Sequence, residues 1–210
     1  MVSRSSGEDR RGGTVAEFMG CLAAALGAPG TLPQAKAVAT LIEAALRTDA
    51  LPESCQAQRL SVCEHVSPAL AAARAHGGHL SRVAESFAAI EPRFRWAPRA
   101  TGGPFASANW PQGHANAVIV GEGGLERRQG IRIGVSLMAP HVRYPDHTHP
   151  PEEVYFVLSP GRFKHGSSSW CEPGAGGTFH NEPGIWHAMA SGDAPFLAIW
   201  SLWGGAASGS

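Results

Sequence analysis

Tyr144-Pro-Asp-His147-Thr-His149-Pro-Pro-Glu-Glu153-Val-Tyr155 is the segment on which the reading of this 210-residue chain turns. Alternate side chains of an extended strand face one side, so His147, His149, Glu153 and Tyr155 share a face if the strand holds register past the prolines. Two imidazoles and a carboxylate on one face offer three ligands to a cation. His187, 34 residues after Glu153 in a later β-like run, supplies a fourth. This mixed set suits one divalent transition metal (Fe2+, Mn2+, Zn2+, Ni2+ or Co2+) and leaves coordination positions open for a substrate. Glu152 has the opposite strand parity and is expected to face solvent. Seven of the ten histidines lie between His114 and His187, but His114, His141, His165 and His180 lack this spacing and read as structural.

Outward from this segment the pattern is β. Short apolar runs at 117–120, 131–138, 153–158, 177–179, 187–190 and 196–203 are separated by turn clusters at 121–124, 159–161 and 173–177. Strands at this spacing with no helices between them indicate an antiparallel sandwich or barrel over residues 116–203. Gly and Pro supply 26 and 16 residues, a fifth of the chain, yet 43% of residues are hydrophobic, so a core can be buried despite the many turns. Residues 204–210 read as a frayed tail.

Upstream the grammar is helical. Residues 1–91 are rich in Ala, Leu, Glu and Arg, with a first amphipathic helix expected over the apolar stretch 18–28 rather than a cleaved leader. A helix starting near Pro33 carries Leu41, Ile42, Ala45 and Leu46 on one face. Another is expected over 54–76, bent at Pro68 and ended by Gly77 and Gly78, and a last one over 80–89. Residues 92–115 read as a linker or covering arm. The helical part holds no acid–base or ligand cluster, so its expected work is to cover a sheet face or build a homodimer contact.

Charge and length exclude several classes. Lys+Arg and Asp+Glu are both 17, which gives no basic stripe for nucleic acid and no polybasic membrane patch. No run of 18 apolar residues is present to span a membrane. The four cysteines form no CxxC and read as free thiols, which points to the cytoplasm.

The motifs resemble those of a known fold family. His147-x-His149-x3-Glu153-x7-Gly161 resembles the first cupin motif, and Gly177-x5-Pro183-Gly184-x2-His187 resembles the second. The departures are a Glu-to-Gly gap longer by one, no residue between Pro183 and Gly184, and Ser191 where Asn is frequent. None removes a ligand. The resemblance implies a mainly β cupin, a double-stranded β-helix or jelly-roll barrel, with an α-helical N-terminal region. The longer strings YPDHTHPPEEVYFVLS and PGIWHA are similar to the cupin-type dimethylsulfoniopropionate (DMSP) lyases of the DddL/DddQ group. That implies cleavage of DMSP to dimethyl sulfide and acrylate, with His147, His149, Glu153 and His187 as ligands, Tyr155 as catalytic base and Tyr144 as a second active-site tyrosine.

The substrate's other end is a sulfonium, which aromatic faces bind; Trp186, Trp200, Trp203 and Tyr144 are the candidates. Both tyrosines of the chain fall in one twelve-residue segment, which favours function over generic packing. Two other classes share the ligand set. One is another cupin metalloenzyme, an Fe(II) dioxygenase or a sugar-phosphate isomerase. The other is a non-catalytic cupin that binds a small molecule. Oxygen dependence separates the first from a lyase, and the absence of a basic recognition helix weighs against a DNA-linked sensor.

Overall fold

The computed structural model describes residues 14–99 and 102–204. The expected tail therefore lies, from residue 205 on, outside the described residues.

Helix α1 (Val15–Leu26) starts at Thr14, whose hydroxyl accepts the Glu17 amide at 3.0 Å. This satisfies one of the amides that a helix start leaves unpaired. α2 (Pro33–Leu46) begins on proline, which has no amide to orphan. The expected long helix over 54–76 is shorter. A 3-10 turn (Ser61–His65) leads into α3 (Val66–Ala75), while Gln58 is extended and exchanges backbone hydrogen bonds with Phe94 and Trp96 at 3.0 and 2.9 Å. Tertiary pairing there overrides helix propensity. Pro68 falls in the first turn of α3, where its missing N–H costs nothing and no bend is needed. Gly77, at φ +72°, turns the chain into α4 (Gly78–Ile90). No described helix is long and apolar enough to cross a membrane.

After Ile90 the chain makes a 3-10 turn (Glu91–Arg93) and buries Phe94 and Trp96 fully. Glu91 is buried, takes both oxygens to Arg59 at 2.6 and 2.7 Å, and accepts the Trp96 indole N–H at 2.8 Å. Glu91→Ala leaves that indole donor unpaired in the core and should cost about 2–3 kcal/mol in urea unfolding. Glu91→Gln keeps an acceptor and should cost less than half as much. Equal losses would mean that the charge, not the indole bond, matters.

A short helix α5 (Trp110–Gly113) leads into the sheets. The larger one contains β1 (Leu51–Pro52), β2 (His114–Val120), β3 (Glu126–Arg127), β4 (Arg132–Met138), β5 (Glu152–Ser159), β7 (Thr178–Asn181) and β9 (Phe196–Trp203). Their order is β1-β3-β2-β4-β9-β5-β7; β6 (Arg162–His165) and β8 (His187–Ala190) form a second, antiparallel pair. The six expected β runs all appear, at slightly shifted ends. Three strands were not expected: β1, β3 and β6. Each is two to four residues long, and β6 has Phe163 as its one buried side chain, too little for an alternation signal.

Strand parity divides the core. Ile133, Val135 and Leu137 of β4, Val154, Phe156 and Leu158 of β5, and Leu197 and Ile199 of β9 face outward and pack with α1–α4 in one cluster. The helices therefore cover a sheet face. Tyr155, Val157, Phe196, Ala198 and Trp200 face inward, where they meet Phe163 and Met189 of the small sheet and Phe179 of β7. Two sheets closed around a filled interior, with helices on one outer face, make a cupin barrel. Gly161 of the first motif has a packing reason: a Cβ there would lie 2.0 Å from the Phe196 ring.

Candidate metal and active site

The four expected ligands converge inside the barrel from three places. His147 and His149 lie in the loop before β5, Glu153 in β5 and His187 at the start of β8. His147 and His187 are joined by a two-residue bridge, N–H to carbonyl at 3.0 and 2.9 Å in the two directions, so the backbone fixes their imidazoles together. A ring nitrogen from each of His147, His149 and His187 lies within 4.8 Å of the other two. Glu153 Oε2 is 3.2 Å from His149 Nε2 and 3.5 Å from His187 Nε2.

The outer hydrogen bonds of the three histidines follow one rule. His147 Nδ1 meets the Pro145 carbonyl at 2.9 Å, His149 Nδ1 the Pro151 carbonyl at 2.9 Å, and His187 Nδ1 the Ile185 carbonyl at 3.0 Å. A carbonyl only accepts, so Nδ1 carries the proton in all three; the Nε2 lone pairs of His147 and His187 are left for the centre, while His149 Nε2 meets the Glu153 carboxylate. That arrangement orients imidazole toward a cation. His187 Nε2 is buried without a hydrogen-bond partner among the described residues. An orphaned acceptor of this kind, beside two more imidazoles and a carboxylate, fits a divalent transition metal.

The electrostatics agree for His147 and His187 and differ at His149. Burial, reinforced by His187, lowers the His147 pKa to about 3, and burial also lowers that of His187. Both are neutral, as ligation requires. At His149 burial pulls the pKa down, but the hydrogen bond and charge of Glu153 outweigh it and the value is raised. Burial opposes ionisation of Glu153, yet His149, His187 and Asn181 hold it as a carboxylate, below its ordinary range.

Glu153 has support that the sequence did not disclose. Asn181 of β7, fully buried, donates Nδ2–H to Glu153 Oε2 at 2.7 Å and takes His165 Nε2 on its own Oδ1 at 2.9 Å. A directed relay His165, Asn181, Glu153 thus fixes the carboxylate. His165 read as structural; its partner is a ligand's partner. Glu152, expected to face solvent, is instead half-buried and bonded to His180 Nε2 at 2.7 Å. The β5–β7 register sets Val154 against His180, and the long glutamate side chain reaches that imidazole diagonally from next door.

Both tyrosines are buried in this interior. Tyr155, two residues past Glu153 on the same face, stands opposite Trp200 on β9 and Phe179 on β7. Burial first, and the adjacent Glu153 charge second, push its hydroxyl well above the ordinary tyrosine range. The Tyr144 ring centroid is 5.2 Å from that of His147. Its hydroxyl accepts Asn116 Nδ2–H at 3.0 Å, and Asn116 Oδ1 accepts the Ser136 hydroxyl at 2.8 Å. Asn116 and Ser136 are inward positions on paired strands β2 and β4. Polar residues at inward positions of apolar strands were the available signal for them.

The three tryptophans separate. Trp200, 9% exposed, lies in the inner cluster beside Tyr155, and Gly134 opposite it on β4 has no Cβ because one would meet the indole at 2.0 Å. Trp203 has the other parity and packs on the helix-covered face. Trp186 is 52% exposed, one residue before His187. Tyr144 and Tyr155 stand beside the ligand group and Trp200 shares their inner cluster, whereas Trp186 and Trp203 lie outside that cluster.

Comparison with known proteins agrees with this geometry. Residues 34–198 match the profile of the dimethylsulfoniopropionate lyase family. Among solved structures, a chain from "Crystal structures of DMSP lyases RdDddP and RnDddQII" superposes with a TM-score of 0.74 at 20% identity, covering 93% of this chain and 95% of that one. The DMSP lyase DddQ from Ruegeria pomeroyi DSS-3 superposes at 0.67 with 24% identity and the same coverages of 93% and 95%. At these identities the superpositions show a shared fold. No curated protein matches the chain significantly.

Proposed function

The chain belongs to the DMSP lyase family and is a carbon–sulfur lyase, and we propose that it cleaves DMSP by a metal-dependent β-elimination in which Tyr155 is the base. The observation that carries the metal reading is the set of three imidazoles with Nε2 turned inward, one of them buried and unpartnered.

In the elimination a base removes the proton from the carbon next to the carboxylate. The C–H electron pair becomes the C=C bond of acrylate, and the C–S pair leaves on sulfur as neutral dimethyl sulfide. That proton is weakly acidic while the carboxylate carries its full charge. His147, His149, Glu153 and His187 would hold a divalent cation, which when bound would supply charge withdrawal from the carboxylate and favour the tyrosinate of Tyr155.

The remaining work belongs to side chains. Burial and Glu153 favour Tyr155 as a neutral phenol, so a cation beside it would be what makes it able to act as a base. Lowering the pKa of an ordinary tyrosine by two units corresponds to roughly 2.7 kcal/mol, a small demand beside a dication. The Phe163 ring, 5.1 Å from that of Tyr155, and Trp200 opposite it exclude water from the base. Trp200 also offers an aromatic face to the sulfonium. Tyr144, oriented by Asn116, would place substrate against His147 or assist the proton's departure.

The test is headspace gas chromatography on purified protein with DMSP, with added Mn2+ or Fe2+ and an EDTA-treated control. Dimethyl sulfide and acrylate in equal amounts, dependent on metal and formed equally well without O2, is the expected result. Turnover undiminished after complete metal removal would sink the metal reading. Activity that needs O2 would favour a cupin dioxygenase instead.

A further inference from the structure

The ligand group is built around a buried carboxylate, Glu153, so its protein atoms alone attract an anion poorly. Arg99 is a cation on the Tyr144 side of the group. It is half-buried at the end of the arm that follows Trp96, and its guanidinium carbon lies 5.8 Å from the Tyr144 ring centroid. The Tyr144 ring stands in turn against His147, 5.2 Å between centroids, so one ring separates the guanidinium from a ligand. Arg59, Arg127, Arg128 and Arg143 each pair with a carboxylate, whereas no carboxylate lies within 4.0 Å of Arg99 among the described residues.

The backbone of Arg99 is clamped. Its N–H donates to His114 Nε2 at 2.9 Å, while His114 Nδ1 meets the Trp110 carbonyl at 2.5 Å. Only the neutral Nδ1–H tautomer satisfies both bonds, and burial lowers the His114 pKa in the same sense. The His114 ring stacks on Trp110 at 4.3 Å and meets the Tyr144 ring edge-on at 5.4 Å. The clamp therefore sets Arg99 beside the same tyrosine that stands against His147.

We propose that Arg99 binds the substrate carboxylate and fixes the direction in which a zwitterionic substrate enters. A guanidinium matches a carboxylate with two parallel hydrogen bonds, and a half-buried cation without a protein counterion is completed by an anionic ligand. The same charge repels the sulfonium, so the two ends of the substrate cannot exchange places. This rests on the lyase reading above, because it takes the anionic end of DMSP as the ligand.

The experiment compares Mn2+-loaded wild type, Arg99→Met and Arg99→Lys in calorimetric titration with acrylate and with uncharged acrylamide, alongside KM and kcat for DMSP. Arg99→Met should weaken acrylate binding and raise KM roughly tenfold or more, with acrylamide binding and metal content unchanged. Arg99→Lys keeps the charge without the fork and should fall between; should Arg99→Met not fold, the lysine variant decides by the same comparison. Acrylate affinity within twofold of wild type, or an equal loss for acrylamide, overturns the proposal. Failure of the lyase reading looks different: wild type then releases no dimethyl sulfide, whatever Arg99 does.

Discussion

Tyr155→Phe should lower dimethyl sulfide release roughly a hundred- to ten-thousandfold, the range over which a positioned proton-transfer group contributes, while metal content stays near that of wild type. The substitution removes one oxygen and keeps the ring that packs against Phe163 and stands opposite Trp200. The lost hydroxyl lies beside Glu153, whose carboxylate retains Asn181 and His149 as partners. Folding stability should therefore change by no more than about 1 kcal/mol. Acrylate formation, bound metal by mass spectrometry and urea unfolding read the three quantities separately. A variant with most of its rate intact would transfer the role of base to another group, with Tyr144 next in place. A variant that loses metal in step with rate would make Tyr155 a ligand rather than a base.

Strand parity made one pair of the site's positions legible: Glu153 and Tyr155 share a face of β5. His147 and His149 lie in the loop before that strand, where no register carries past the prolines, and His147 is placed by its bridge to His187 instead. What period two could not supply is partnership across strands. Asn181 lies past the expected run 177–179, and only the β5–β7 register, which sets it opposite Glu153, reveals a ligand's anchor. Glu152 fails for a related reason: parity gives the direction of Cβ, not the reach of a long side chain to His180. Arg99 lies outside any regular strand, and it meets Tyr144 only because the arm pairs Ala97 with Asn116 on β2.

The helical part shows the same limit at larger scale. Apolar periodicity located α1, α2 and α4, whose buried faces form one cluster with the outward side of the sheet. The segment before α3 has adequate helix propensity but is extended, because Gln58 finds backbone partners at Phe94 and Trp96 and Arg59 finds Glu91. Those partners are more than thirty residues away, beyond any local window. The helices matter to the site indirectly, by closing one face of the strands that carry Glu153, Tyr155 and Trp200.

His187→Ala should remove metal and activity together, and that coupling distinguishes it from Tyr155→Phe. His187 is 2% exposed, bridged through its backbone to His147, and its Nε2 lies 3.5 Å from Glu153 Oε2. Alanine keeps the backbone bridge, so His147 should hold its place while one of four ligands is lost. Metal that binds only the folded chain stabilises it by mass action, about 2.7 kcal/mol at a hundred times Kd. Added Mn2+ should consequently raise the Tm of wild type and leave that of His187→Ala nearly unmoved. Trp186→Ala is the matched control, since its side chain is 52% exposed one residue earlier; its metal content and metal-dependent Tm shift should equal those of wild type. If His187→Ala kept a full equivalent of metal and the whole Tm shift, the cation would have to be held by His147, His149 and Glu153 without it, and the unpartnered Nε2 would need another explanation.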